Sequence, residues 1–259
     1  MNKSDIAAGD RYRIELYRTG QCRVKGRYAF RNYAKDRDHL YYLYIAVLKS
    51  PTLTALVDIG MESVERMNEG AGFLLSELIS QEPGEDTASI LAAAGVAPED
   101  IDLILFTHCH YDHCSTLHLF PRAQVVVPEY GWRVWHEEPE GAGYLHDGFL
   151  SQMEALHETG RLTLIDEGLV APGLGVRWVG GHCPCSQFVY VNTTEGVAVL
   201  TGDTVQKYEN LEQNDVIGIW SDDEQCWRAL DIARTTADIV LPGHDPLVLE
   251  KHPGGIIGE

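Results

Sequence analysis

With 259 residues, 44% of them hydrophobic and 23% charged, the chain has the size and balance of one large folded domain, 1–259, which excludes disordered and fibrous classes. A formal charge of −19 sets the surface against phosphate backbones and anionic lipid, so nucleic acid and membranes are poor partners and the charge serves solubility. The start, from Met1 to Ile6, lacks the pattern of a secretory signal and no apolar run reaches the length of a membrane span, so a cytoplasmic location is expected and the six cysteines need form no disulfides.

In chain order, residues 10 to 18 alternate polar with apolar and predict a half-buried N-terminal edge strand. Residues 22 to 37 then gather Arg23, Lys25, Arg27, Arg31, Lys35 and Arg37 among Tyr28, Phe30 and Tyr33. The plain reading of that cluster is a solvated loop or a subunit contact; the sharper one is a mobile wall that recognises an acidic or aromatic substrate. Residues 41 to 49 and 52 to 58, separated by Ser50-Pro51, predict a hairpin of core strands that ends at Asp58. Residues 63 to 81 and 87 to 94 have helical composition, and Gly95 stops the second of these. Strands follow at 101 to 105 and at 123 to 127, the latter closed by Pro128.

Between residues 129 and 160 the β pattern lapses. This insert holds Trp132, Trp135, His136, His146 and His157, and is expected to shape a substrate entrance with each histidine at the surface. Strand patterns resume at 161 to 165, 175 to 179, 187 to 192 and 197 to 200. Residues 222 to 235 predict a helix with Cys226, Trp227, Leu230 and Ala233 on one side, and 237 to 241 predict the last strand. Periodicity alone therefore indicates an α/β protein with considerable antiparallel content.

One run carries the chemistry. His108, His110, Asp112 and His113 follow the strand pattern 101 to 105 directly, and imidazole with carboxylate suits zinc and its neighbours in the transition series. In extended backbone His108 and His110 project to the same side, while Asp112 and His113 begin the next turn and face elsewhere. One ion cannot use all four, so two adjacent metals are expected. Closing two sites takes roughly three more side chains at strand ends, and His182, Asp203 and His244 each follow an apolar run.

This ordered set resembles the metallo-β-lactamase superfamily over nearly the whole chain, and is most similar to its N-acyl homoserine lactonase-like branch. The resemblance implies a four-layer αββα sandwich. It also implies that His108, His110 and His182 hold one metal, that Asp112, His113 and His244 hold the second, and that Asp203 bridges them. Asp58, in a turn similar to the family's Asp-x-Gly, would support the ligands from behind. The implied cofactors are two divalent ions, zinc first, with iron, manganese or cobalt as alternatives.

The implied activity is hydrolysis of a lactone or other carboxylic ester by a hydroxide shared between the metals, with Asp203 or Asp112 relaying a proton to the leaving alkoxide. The expected partner is thus a small-molecule ester or lactone, with neither nucleic acid nor membrane, and a homodimer stays open. The related lactonases set a tyrosine shortly after the bridging aspartate against the substrate carbonyl. Gln206 stands at the corresponding place here and Tyr208 two residues on, so Tyr208 is the expected donor, with Gln206 and the basic segment 23 to 37 as alternatives. Cys109, Cys114, Cys183 and Cys185 adjoin the ligands and are expected near the metals without binding them.

Two rival readings share the ligand set. A thioester hydrolase of the glyoxalase II type carries a C-terminal helical region that the stretch after His244 is too short to supply. A metal-bound, non-catalytic sensor or binding protein would keep the fold without turnover, although such descendants commonly lose ligands.

Overall fold

Strands whose two faces are both apolar must be covered on both sides, and their alternation shows by what. The computed structural model describes residues 1–138 and 140–258. In it, β1 (Arg13–Val24), β2 (His39–Lys49), β3 (Thr54–Val57), β4 (Leu75–Ser80), β5 (Leu103–Leu105), β6 (Gln124–Val127) and β7 (Leu162–Leu164) belong to one sheet. A second sheet takes β8 (Glu167–Ala171), β9 (Leu174–Trp178), β10 (Gln187–Thr193), β11 (Gly196–Leu200) and β12 (Ile239–Leu241), while β13 (Ile256–Ile257) returns to the first sheet beside β1. The first sheet runs β13-β1-β2-β3-β5-β6-β7 with β4 also paired to β1, and the second runs β12-β11-β10-β9-β8.

Ala46 and Leu48 of β2, Leu103 and Leu105 of β5 and Val126 of β6 meet Val189 and Val191 of β10 and Ala198 and Leu200 of β11 in one buried cluster between the sheets. The intervening residues point outward. Val47, Ile104, Val125 and Val127 pack beneath helices Thr87–Ala94, Glu129–Glu137 and Phe149–Glu158 through Leu91, Trp135, Phe149 and Met153. On the opposite side Phe188, Tyr190, Val197 and Val199 are covered by Cys226, Ala229, Leu230 and Ala233 of helix Asp223–Thr236. Helix, sheet, sheet and helix are therefore stacked in four layers, as the resemblance implied.

The core hairpin and the helix stopped by Gly95 (φ 68°) form as expected, and the insert where the β pattern lapses folds into helices Glu129–Glu137 and Phe149–Glu158. Two expectations are corrected. β1 is not an edge strand, because β13 pairs with its start and β2 along its length. Residues 63 to 81 are helical only over Val64–Ala71, and their second half is β4, antiparallel to β1. Leu75 and Ile79, the buried residues of β4, stand four apart and so mimic a helical stripe, but pairing with β1 decides the conformation.

Helix and strand are then clasped together. Asn68 donates from Nδ2 to the Ile79 carbonyl at 3.0 Å and accepts from the Ile79 N–H at 2.8 Å. No helix among the described residues is long and apolar enough to cross a membrane.

Candidate metal centre

Parallel pairing aligns strand ends, and β3, β5 and β6 run parallel, as do β11 and β12. Their C-terminal ends lead into Asp58, the run Thr107 to His113, Asp203 and His244, and β9 leads into His182. These segments converge only because small residues let backbones touch. Gly202 has φ 51°, and a Cβ there would lie 2.6 Å from the Thr107 side chain; one at Gly243 would lie 2.4 Å from the Gly202 carbonyl oxygen.

The seven side chains expected as ligands come together at this rim. His108, His110 and His182 form one group, with His110 Nδ1 2.9 Å from His108 Nε2 and 3.0 Å from His182 Nε2. Asp112, His113 and His244 form another, and Asp203 joins His108 and His113. Asp203 reaches both sides: Oδ1 lies 2.8 Å from His244 Nε2 and 3.3 Å from His113 Nε2, while Oδ2 lies 3.5 Å from His182 Nε2.

Four of the histidines are aimed by a partner on their far ring nitrogen. His113 Nδ1 lies 2.8 Å from Asp58 Oδ2, His244 Nδ1 2.9 Å from the Tyr42 carbonyl, His182 Nδ1 3.2 Å from the Ile219 carbonyl and His108 Nδ1 3.2 Å from Thr107 Oγ1. Such bonds fix tautomer and ring angle and leave the other nitrogen facing the cluster. Asp58 also accepts from the Thr107 N–H at 2.7 Å and hydroxyl at 2.8 Å, and adopts a left-handed φ of 58° to do so.

The donor set fits a metal pair. Burial and the neighbouring His182 hold His110 down at about 3, and burial with His113 holds His108 well below the usual imidazole range, so both are neutral as metal binding requires. Burial opposes charge on Asp203, but His244 and His108 outweigh it and hold its carboxyl well below the usual range. His113 Nε2 and Asp203 Oδ1 are buried without a properly directed hydrogen bond among the described residues. Two such orphans facing each other in a nitrogen and oxygen cluster are what a cation would satisfy.

Other expected residues are placed differently. Tyr208 opens helix Tyr208–Glu212 and packs against the inter-sheet core, with Lys251 Nζ 4.4 Å from its ring centroid. It is not among the residues lining the cavity above the cluster, so the structure does not bring the expected donor Tyr208 to that site. The reason is local: its N–H donates to Asp245 at 2.8 Å, which starts the helix turning away from the rim. The cations of the basic segment are also directed elsewhere. Arg23 pairs with Glu77, Arg31 with Asp223 and Arg37 with Glu209, while Asp215 accepts from the N–H groups of Asn32 and Tyr33. Only Cys22, Val24 and Tyr28 from that stretch reach the cavity.

The insert contributes Tyr144, Leu145 and His146 to the cavity wall, as its expected role requires. His136 and His157 are exposed, but His146 is half-buried between Tyr111 and Phe149. Tyr41, on β2, also lines the cavity and was missed, since an aromatic residue within an apolar strand reads as core.

All four thiols near the motif are free and buried behind the ligands in the apolar cluster under the helices. Cys183 Sγ and Cys185 Sγ stand 3.6 Å apart, and burial pushes the Cys109 thiol up to about 12. Replacing Cys109, Cys114, Cys183 and Cys185 together by alanine is expected to leave the metal content unchanged, at a cost of about 1 kcal/mol in stability per site. Serine is the harsher change, because burying an unpaired hydroxyl costs roughly 1–3 kcal/mol each. Elemental analysis checks this, and loss of either ion from the folded alanine variant refutes it.

A family model described as the metallo-beta-lactamase superfamily matches residues 43–244. Metallo-beta-lactamase domain-containing protein 1 of Mus musculus is 35% identical over 159 residues, 60% of this chain and 52% of the mouse protein. The chain thus spans about half the length of that relative. N-acyl homoserine lactonase AiiA of Bacillus thuringiensis subsp. kurstaki is 25% identical over 201 residues, 73% of this chain and 76% of the lactonase. Among solved structures, an N-acyl homoserine lactone hydrolase with the product N-hexanoyl-L-homoserine at its catalytic metal center superposes with a TM-score of 0.73 at 19% identity, covering 94% of this chain and 96% of the other. A quorum-quenching N-acyl homoserine lactone lactonase gives 0.71 at 18% identity, covering 94% and 95%.

Proposed function

Because the chain belongs to the metallo-beta-lactamase superfamily, we propose that it is a metal-dependent hydrolase with a dinuclear centre, cleaving an uncharged lactone or other carboxylic ester. The observation that carries this reading is the convergence of seven histidine and aspartate side chains beneath a cavity of about 920 Å³, with His110, Asp112, His182, Asp203 and His244 lining it. His108, His110 and His182 would hold one ion, Asp112, His113 and His244 the other, with Asp203 between them. Two bound divalent ions, zinc being the best match to these ligands, supply a water ionised near neutral pH and Lewis acidity toward a carbonyl.

The chain's own residues do the rest. Asp58, Thr107 and the carbonyls of Tyr42 and Ile219 keep the imidazoles oriented. Asp203 and Asp112 both line the cavity as carboxylates, so either can take up the proton of the attacking water at an Oδ atom and return it to the departing alkoxide oxygen. Leu43, Met67, Leu75, Ile79 and Leu145 present apolar surface to the rest of the substrate.

Charge at the cavity favours this substrate class over the anionic alternatives. Among the lining residues Arg66 is the one Lys or Arg, and it is engaged by Asp147 at 3.4 Å and by the Tyr111 ring at 5.2 Å. Glu69 and Asp147 add negative charge beside it. A glutathione thioester or a phosphodiester would call for free cations, which this wall does not offer.

The test is a zinc-loaded preparation analysed for metal and assayed against lactones, aryl esters, thioesters and bis-aryl phosphodiesters. About two ions per chain are expected, with kcat/KM for a lactone or ester at least about tenfold above the other classes. A fully active preparation with one ion removes the dinuclear reading. Preference for the phosphodiester overturns the substrate class, and a metal-loaded protein inert toward every class overturns the assignment as an enzyme.

A further inference from the structure

The cavity floor carries a polar chain that runs through none of the metal-facing histidine nitrogens. Tyr41 is 3% exposed, and its ring lies almost parallel to the His244 imidazole, with centroids 5.2 Å apart and planes inclined by 20°. Its hydroxyl donates to Gln206 Oε1 at 2.7 Å, and Gln206 Nε2 donates to Asp203 Oδ2 at 3.3 Å. The backbone of Gln206 is pinned as well, since its carbonyl accepts from the His244 N–H at 2.9 Å. Tyr41, Gln206, Asp203 and His244 all line the same cavity.

A side-chain amide has two ends, and its neighbours decide which end faces the reaction. A phenol can donate or accept, whereas an ionised carboxylate only accepts. With the amide reversed, Gln206 Oε1 would face Asp203 Oδ2, acceptor against acceptor. Asp203 therefore draws Nε2 toward the metal cluster, and the Tyr41 hydroxyl completes the opposite end. Nε2 carries two hydrogens; Asp203 takes one, and no described residue accepts the other.

We propose that Gln206 is the donor to the carbonyl oxygen of the substrate through its second Nε2 hydrogen, and that Tyr41 is the positioning residue that holds this amide in the donating orientation. The inference rests on the carbonyl-hydrolase reading above and adds the group that stabilises the developing oxyanion. A neutral donor held rigidly in a buried site gains strength as charge develops on the carbonyl oxygen and needs no reorganisation to do so. Gln206 is 4% exposed and tied at both ends, so that requirement is met.

Three measurements on the zinc-loaded full chain test it. Gln206→Met, similar in shape but unable to donate, is expected to lower kcat roughly 100- to 1000-fold with KM changed by no more than about threefold and both ions retained. Affinity for a trifluoromethyl ketone analogue of the best substrate should fall in parallel with kcat/KM, while affinity for the matching unreactive amide stays put. Tyr41→Phe should lower kcat roughly 10- to 100-fold, and the side-chain amide resonance of Gln206, assigned by its absence in Gln206→Met, should shift and broaden.

Unchanged analogue affinity in Gln206→Met overturns the donor role, and so does loss of an ion, which would make Gln206 a support for the metal ligands. An unmoved amide resonance in Tyr41→Phe overturns the positioning role. The resonance is read without turnover, so it stands even where the tyrosine variant is too weakened to assay. A wild-type protein inert toward every carbonyl substrate defeats the parent reading and this one together. Wild-type turnover with unaffected variants defeats this one alone.

Discussion

Asp203→Ala is expected to lose bound metal and to cut ester or lactone turnover about 1000-fold or more, the upper end of what removal of a single electrostatic group costs. Asp203 is the side chain whose two oxygens approach His113, His244 and His182 together, so on the proposed dinuclear reading its removal would withdraw a ligand from both ions at once. It also leaves His113 and His244, both of which burial alone would hold neutral, without the carboxylate that favours their charged forms. Metal analysis should then find well under two ions per chain at zinc concentrations that saturate the wild type. Asp203→Asn keeps the volume and one acceptor, and should retain more metal than activity. Two tightly held ions in Asp203→Ala would show that the aspartate does not lie between them.

The second large effect is on stability. Asp245 and Lys207 form an ion pair at 3.2 Å whose side chains are only 1% and 9% exposed. Asp245 also accepts from the N–H groups of Tyr208 and Leu247, and Lys207 donates to the Leu40 carbonyl at 3.3 Å. Removing one partner of such a pair leaves the other buried and uncompensated, at a cost of about 3–5 kcal/mol. Asp245→Ala is therefore expected to lower unfolding free energy by that amount in urea titrations of the metal-loaded protein. Adding Lys207→Met should recover much of the loss, because the stranded charge is gone. A loss below about 1 kcal/mol would mean that water reaches the pair.

What could be read from the sequence divides along distance in the chain. His108, His110, Asp112 and His113 sit within six positions after a strand, so local spacing exposed them, and His182, Asp203 and His244 each follow an apolar run. The core strands were legible as apolar runs, but their periodicity indicated only an α/β protein, and the helices that cover both outer faces were implied by the resemblance alone. β4 was not, because its buried residues fall four apart and only the long-range partner β1 makes them a strand. Tyr41 and Gln206 lie 165 positions apart, and although the resemblance offered Gln206 as an alternative donor, nothing in the sequence joined Tyr41 to it. Tyr208 was attractive for its nearness to Asp203 in sequence, yet the turn begun by Asp245 carries it off the rim.

The clasp between Asn68 and β4 bears on how this protein behaves in a crowded solution. A strand with vacant backbone groups invites a strand from another molecule, and Leu78 and Phe73, at 60% and 62% exposure, supply the greasy surface that would make such an encounter stick. By occupying both backbone groups of Ile79, the Asn68 amide acts as a one-residue imitation of a neighbouring strand. The rim of the cavity can thus keep apolar residues at the surface while denying passing chains one of the handholds from which fibrous aggregates grow.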